Sequence, residues 1–134
     1  MKGSGIGPAK LHQIALAGGD DLGATLVWWN DMLGLPTHAR FEPPGIAFIY
    51  LGEVRLIFTP GGQPATVYLL VSDLDGSCEQ LGAKGAAFIS APQLIHVDTS
   101  GQFGPAGNEE WMAFLRDPAG NTIALAERRL PAPA

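Results

Sequence analysis

The sequence predicts an α+β domain made of two tandem βαβββ modules that form a curved mixed sheet around a cleft. Two observations carry this. A strand–helix–strand order is legible twice along the chain, and Gly45-Ile-Ala-Phe-Ile closely matches Trp111-Met-Ala-Phe-Leu, each preceding a Gly-containing turn and a further apolar strand. Such self-similarity is what a duplicated unit leaves in a sequence. The 134 residues, 46% of them hydrophobic and 16% charged, suit one ordinary core. Residues 1–134 are read as a single domain, with module one at about 10–60, module two at about 65–128 and an inserted loop at about 91–110.

The first module opens with a strand over Leu11–Ala17. Asp20-Asp21 then offers a helix N-cap, and Leu22, Leu26, Trp29 and Leu33 recur along one helical stripe. Gly34 and Pro36 stop that helix. Strands over Gly45–Tyr50 and Val54–Phe58 follow, hinged at Gly52-Glu53, and Pro60–Pro64 links the halves. In the second module Thr66–Val71 is a strand and Asp73 caps a helix with Leu74, Cys78 and Leu81 on one face. Ala86–Ser90, Trp111–Arg116 and Thr122–Ala126 are the remaining strands. The segment Ala91–Glu110 has no counterpart in module one, and an insertion of that length is either a lid or a surface loop. Met1–Ala9 and Pro131–Ala134 are expected to fray.

The composition excludes several classes. A net charge of −5 with scattered Lys and Arg leaves no basic stripe, which argues against nucleic acid and membrane-surface partners. No apolar secretory segment follows Lys2, and no stretch is apolar enough to span a membrane, so a cytoplasmic location is expected. Cys78 is the only cysteine and sits on a helix stripe, as a small core residue does.

Alternation along the strands assigns two faces. Leu16, Phe48, Leu56, Phe58, Val67, Met112, Phe114 and Ile123 are expected beneath the helices. Gln13, Ala15, Ala47, Ile49, Arg55, Ile57, Thr66, Tyr68, Trp111, Ala113, Leu115 and Ala124 are expected on the cleft side. A face rich in alanine and flanked by Trp111 and Tyr68 suits an apolar pocket; the competing reading is a face covered by a partner subunit or by the long loop.

Asp21-Leu22 through Trp28-Trp29 to Leu33-Gly34-Leu35 resembles the first-helix signature of the vicinal-oxygen-chelate superfamily (the glyoxalase/bleomycin-resistance/dioxygenase proteins). Trp111–Asn121 resembles its closing hairpin, and the resemblance covers about Leu11–Glu127. These motifs speak for the fold more than for an activity. The resemblance implies a homodimer and four metal-ligand positions, which fall on Gln13, Ile57, Thr66 and Ala124. Ile57 and Ala124 carry no donor atom and Thr66 is a poor ligand, so no metal and no cofactor are expected. His12 and Glu127 lie close to these positions but on the opposite parity. A one-residue bulge near Gly18-Gly19 would turn His12 inward.

The expected function is binding of a small apolar or aromatic molecule, with Gln13, Arg55, Ile57, Thr66, Tyr68, Trp111 and Ala124 as ligand-binding candidates. Arg55 would receive a ligand carboxylate or form an ion pair at a dimer contact, and the sequence leaves both open. The alternatives are a metal-independent enzyme using His96 and Tyr68 for acid–base chemistry, or a lyase, isomerase or dioxygenase with displaced metal ligands.

Overall fold

The structure is a computed structural model that describes residues 5–131; of the ends expected to fray, residues 1–4 and 132–134 lie outside the described residues. Module one comprises β1 (Gln13–Ala17), α1 (Leu22–Leu33), β2 (Ala39–Phe41), β3 (Ile46–Leu51) and β4 (Val54–Thr59). Module two comprises β5 (Thr66–Leu70), α2 (Leu74–Ala83), β6 (Phe88–Asp98), β7 (Asn108–Arg116) and β8 (Thr122–Arg129). Each module forms its own four-stranded mixed sheet, in the orders β1-β4-β3-β2 and β5-β8-β7-β6. In both, the first strand pairs in parallel with the last, and the last three strands form an antiparallel meander. The expected duplicated fold is present.

The helices start and stop where their sequence signals lie. The Asp21 carboxylate accepts from Ala24 N at 3.0 Å, satisfying one of the free amides of the first turn of α1. At its other end Gly34 adopts φ +70°, a left-handed conformation that lacks a steric penalty only for glycine. Asp73 caps α2 in the same way, through Gly76 N at 3.0 Å. The stripe residues Leu26 and Trp29 of α1, and Leu74 and Leu81 of α2, are buried.

These side chains join Leu16, Leu56, Phe58, Val67, Leu115 and Ile123 in one core cluster that runs through both modules. Trp29 is fully buried and meets Phe58 edge-on at 5.2 Å between ring centroids. Burying a side chain of this kind contributes about 1.5–3 kcal/mol relative to leaving it in water.

A buried polar network fastens the modules together at the turn after β7. Asn121, fully buried, accepts from Ala17 N at 3.1 Å and Ala65 N at 3.0 Å. Its Nδ2 donates to Ala17 O and to the Asp117 carboxylate, both at 2.8 Å. Asp117 also receives the Trp29 indole N–H at 2.8 Å. One asparagine thus satisfies backbone groups of β1 and of the linker before β5, removing the penalty those groups would carry if buried alone.

Three expectations are corrected. First, β2 was not foreseen: it is three residues long, too short to show a period. Second, most of Ala91–Glu110 is not a loop. β6 runs unbroken to Asp98 and β7 starts at Asn108, so a long hairpin occupies the segment and only residues 99–107 turn. Third, two strands present the opposite face from the one expected. Ala47 and Ile49 of β3, and Ala113 and Leu115 of β7, are fully buried in the core, while Phe48 and Phe114 turn away from the helices. Hairpin register decides this: Phe48 lies opposite Ile57 and Phe114 opposite Ala124, and directly paired residues share a face.

Candidate functional site

The sheet faces turned away from the helices carry most of the candidate residues. On module one, Gln13 and Ala15 of β1 stand beside Arg55 and Ile57 of β4, and Tyr50 and Phe48 of β3 complete the rows. On module two, Tyr68 of β5, Ala124 of β8 and Phe114 of β7 share one row, and the Tyr68 and Phe114 rings meet edge-on at 6.4 Å. The face is open in the single chain, with Tyr68 60% and Leu70 75% exposed. Ala15 is exposed beside Ile57, whereas Ala124 is fully buried in the row between Tyr68 and Phe114 and Ala126 is nearly so.

Trp111 does not belong to this surface. It lies opposite Glu127 on the helix side, its indole N–H donates to Glu109 at 2.8 Å, and the Arg129 guanidinium stacks over its ring at 4.6 Å. Phe114 is the aromatic residue that β7 supplies to the open face. Glu127 likewise points to the helix side, where its carboxylate accepts from Leu74 N at 2.6 Å at the start of α2.

The residues at the four positions that the family resemblance assigns to a metal do not fit one. Gln13 and Ile57 sit on the module-one face, and Thr66 and Ala124 on the module-two face, but Ile57 and Ala124 offer no electron pair to a cation. Among the described residues no three His, Cys, Asp or Glu side chains gather as a metal would require. β1 pairs with β4 without interruption from Gln13 to Ala17, so no bulge rotates His12. Its ring instead meets the Arg55 guanidinium, with 3.0 Å between His12 Nε2 and Arg55 Nη2.

The two proton-transfer candidates stand apart. Tyr68 is on β5 and His96 on β6, the opposite edges of one sheet, so two strands and about 14 Å across the sheet separate them at ordinary strand spacing, with a further offset of four residues along it. His96 is paired with Glu110 in the hairpin, not carried on a lid. Glu110 approaches Arg128 at 3.7 Å, and Arg128 also holds Asp98 at 3.1 Å. Asp98 is buried and organises the hairpin tip by accepting from Gln102 N at 2.8 Å and Phe103 N at 2.9 Å. The Phe103 amide, seconded by Gln102 and Arg128, holds its carboxyl below the ordinary value of 3.8 against the opposing effect of burial. Burial, with the nearby Asp75 charge, pushes the Cys78 thiol above the ordinary 9.0, which disfavours the thiolate. Among the described residues no helix is long and apolar enough to cross a membrane.

No protein-family profile matches the chain, and neither does any curated protein sequence. Solved structures do match. A glyoxalase/bleomycin resistance protein/dioxygenase from Nocardioides superposes with a TM-score of 0.70 at 18% identity, over 98% of this chain and 93% of that one. The chain has the glyoxalase/bleomycin-resistance fold. Other proteins of this fold that match are a lactoylglutathione lyase from Agrobacterium tumefaciens (TM-score 0.66, 19% identity, 90% of this chain and 95% of that one) and TnmS3, an antibiotic binding protein from a Streptomyces species (TM-score 0.68, 16% identity, 92% and 98%). Proteins of the glyoxalase/bleomycin-resistance fold thus include an enzyme and a binder, and the residues of this chain must decide between them.

Proposed function

We propose that the protein binds a small apolar or aromatic molecule on the open faces of its two modules, without a metal. The observation that carries this reading is the chemistry of the face. Two of the four positions that the resemblance assigns to metal ligands, Ile57 and Ala124, are aliphatic, and Ala15 and Ala124 lie in the same rows as the Phe48, Tyr68 and Phe114 rings. Such a surface offers apolar contact and a few orienting polar groups, which is how small-molecule sites are composed. The existence of an antibiotic binding protein on the same fold supports a binding role, as does the separation of Tyr68 from His96.

A second copy of the chain is the expected partner. Tyr68 and Leu70 expose apolar area at a site meant to hold an apolar ligand, and pairing of two chains would enclose it. Light scattering coupled to gel filtration should report twice the chain mass.

The deciding experiment combines elemental analysis of the purified protein with thermal shifts in Zn²⁺, Ni²⁺, Mn²⁺ or Fe²⁺ and in neutral aromatic compounds such as naphthalene derivatives. The expected result is no stoichiometric metal, no shift with metals, and a rise in melting temperature with the aromatics. A stoichiometric metal that raises the melting temperature would replace this reading with that of a metal-dependent lyase, isomerase or dioxygenase.

A further inference from the structure

Arg55 is placed unlike the arginines that form ion pairs in this molecule. Arg40, Arg128 and Arg129 each hold at least one carboxylate within 4 Å. Among the described residues Arg55 makes no ion pair; its Nη2 meets the His12 ring and its guanidinium lies over the Phe48 ring at 5.2 Å. Its Nε is buried without a hydrogen-bond partner, and so is Oε1 of Gln13, the residue directly opposite on β1. A buried donor without a partner is rare in folded proteins, and an anion would supply the acceptor that Arg55 Nε lacks; Gln13 Oε1, itself an acceptor, gains nothing from an anion.

The surroundings favour an anion. Beside this group lies an open recess of about 810 Å³ lined by Lys10, His12, Tyr50 and Glu53 among others. Tyr50 is paired with Arg55 across β3 and β4. Lys10 and Glu53 on the recess balance each other, and Arg55, which meets the recess residue His12, leaves one net positive charge at this corner of a protein whose net charge is −5. Stacking on Phe48 and the contact with His12 hold the guanidinium in place before any ligand arrives, which lowers the entropy cost of binding. Next along the same rows come Ala15 and Ile57, a small residue and a half-buried apolar one, giving a flat group a place to lie.

We infer that the ligand class is the planar aromatic carboxylates, with the carboxylate on Arg55 and the ring over Ala15 and Ile57 against Phe48. The inference rests on the proposed binding role of this face and narrows it. A planar guanidinium forms charge-assisted, paired hydrogen bonds to a carboxylate that a neutral amide of the same shape does not match.

The test uses matched pairs: benzoate, 2-naphthoate and indole-3-acetate, each against its own primary amide, by isothermal titration calorimetry on the whole chain. The wild-type protein should prefer at least one acid over its amide by about tenfold or more, the worth of one charge-assisted hydrogen bond. Arg55→Gln should bring that ratio to about one, with its circular dichroism and melting curve serving as the check on folding. Acid and amide binding equally well to the wild-type protein, a measurement that needs no variant, would leave the aromatic site standing and overturn the carboxylate assignment. Binding of none of the six compounds would overturn both. An unchanged acid-to-amide ratio in Arg55→Gln, together with loss of the dimer, would make Arg55 an interface residue and overturn the assignment.

Discussion

On either side of β7 an aspartate organises a turn by accepting two backbone N–H groups. Asp98, at the start of the hairpin tip, takes those of Gln102 and Phe103; Asp117, just after the strand, takes those of Ala119 and Asn121, at 3.0 and 2.8 Å. The local chemistry is the same and the reach differs. Asp98 completes its shell with Arg128, a surface-facing residue of the same sheet. Asp117 completes its shell with the indole of Trp29 and the amide of Asn121, which itself grips β1 and Ala65. A turn motif is therefore local or global according to the second partner of its carboxylate. Both carboxylates are buried, but Asp117 ties module two to module one, whereas Asp98 ties the hairpin tip to β8 within its own module.

The comparison breaks first at Asn121. Asn121→Ala removes four hydrogen bonds and leaves Ala17 N, Ala17 O and Ala65 N without that partner, so a loss of about 3–5 kcal/mol is expected. Urea unfolding should show the midpoint falling at an unchanged m-value; a midpoint within about 1 kcal/mol of wild type would mean that water replaces the side chain at the junction. Trp29→Phe is a gentler cut. It keeps an aromatic ring against Phe58 but deletes the donor to Asp117, which should cost about 2 kcal/mol, the range for a hydrogen bond to a charged acceptor. The two losses should not add, because both residues belong to one network; a double-variant cycle reads the coupling directly.

Much of the fold was legible because its signals are local. Asp21, Gly34 and Asp73 mark helix ends by their own side chains or by the lack of one, and Leu26 and Trp29 mark the buried stripe by spacing. The faces of β3 and β7 were not legible from each strand alone, because both parities are mostly apolar. The information lay in the turns: with only Gly52 and Glu53 between Leu51 and Val54, Phe48 must share a face with Ile57. The same argument at the Asp117–Asn121 turn places Phe114 with Ala124 and Tyr68, and sends Trp111 to the other side. β6 was read only at its start, within Ala86–Ser90, and its continuation to Asp98 was hidden for a different reason. Its pairing with β7 shifts register between Phe88 and Ser90, between Ser90 and Gln93, and between Leu94 and His96, which destroys the two-residue period. At the candidate site, Arg55, Tyr68 and Ala124 were found by parity, whereas Phe48 and Phe114 required the register. The contact between His12 and Arg55 joins residues 43 positions apart, and no pattern along the chain announces it.

The smallest expected effect is at the hairpin. Asp98→Asn keeps a side-chain oxygen for one of the two tip amides but loses the ion pair with Arg128. Amide hydrogen exchange at Gln102 and Phe103 should speed up, while the urea midpoint should move less than in Trp29→Phe. The pH dependence separates the two turns further. Because the folded Asp98 carboxyl lies below its ordinary 3.8, its contribution is complete above that value and is lost as the pH falls through the lower folded value. In the wild-type protein, protection of the tip amides should therefore decline in acid below about pH 4, and Asp98→Asn should abolish that decline. A global midpoint that falls as far in Asp98→Asn as in Trp29→Phe would show that the hairpin tip, too, is bound into the cooperative core, and the distinction between a local and a global aspartate would fail.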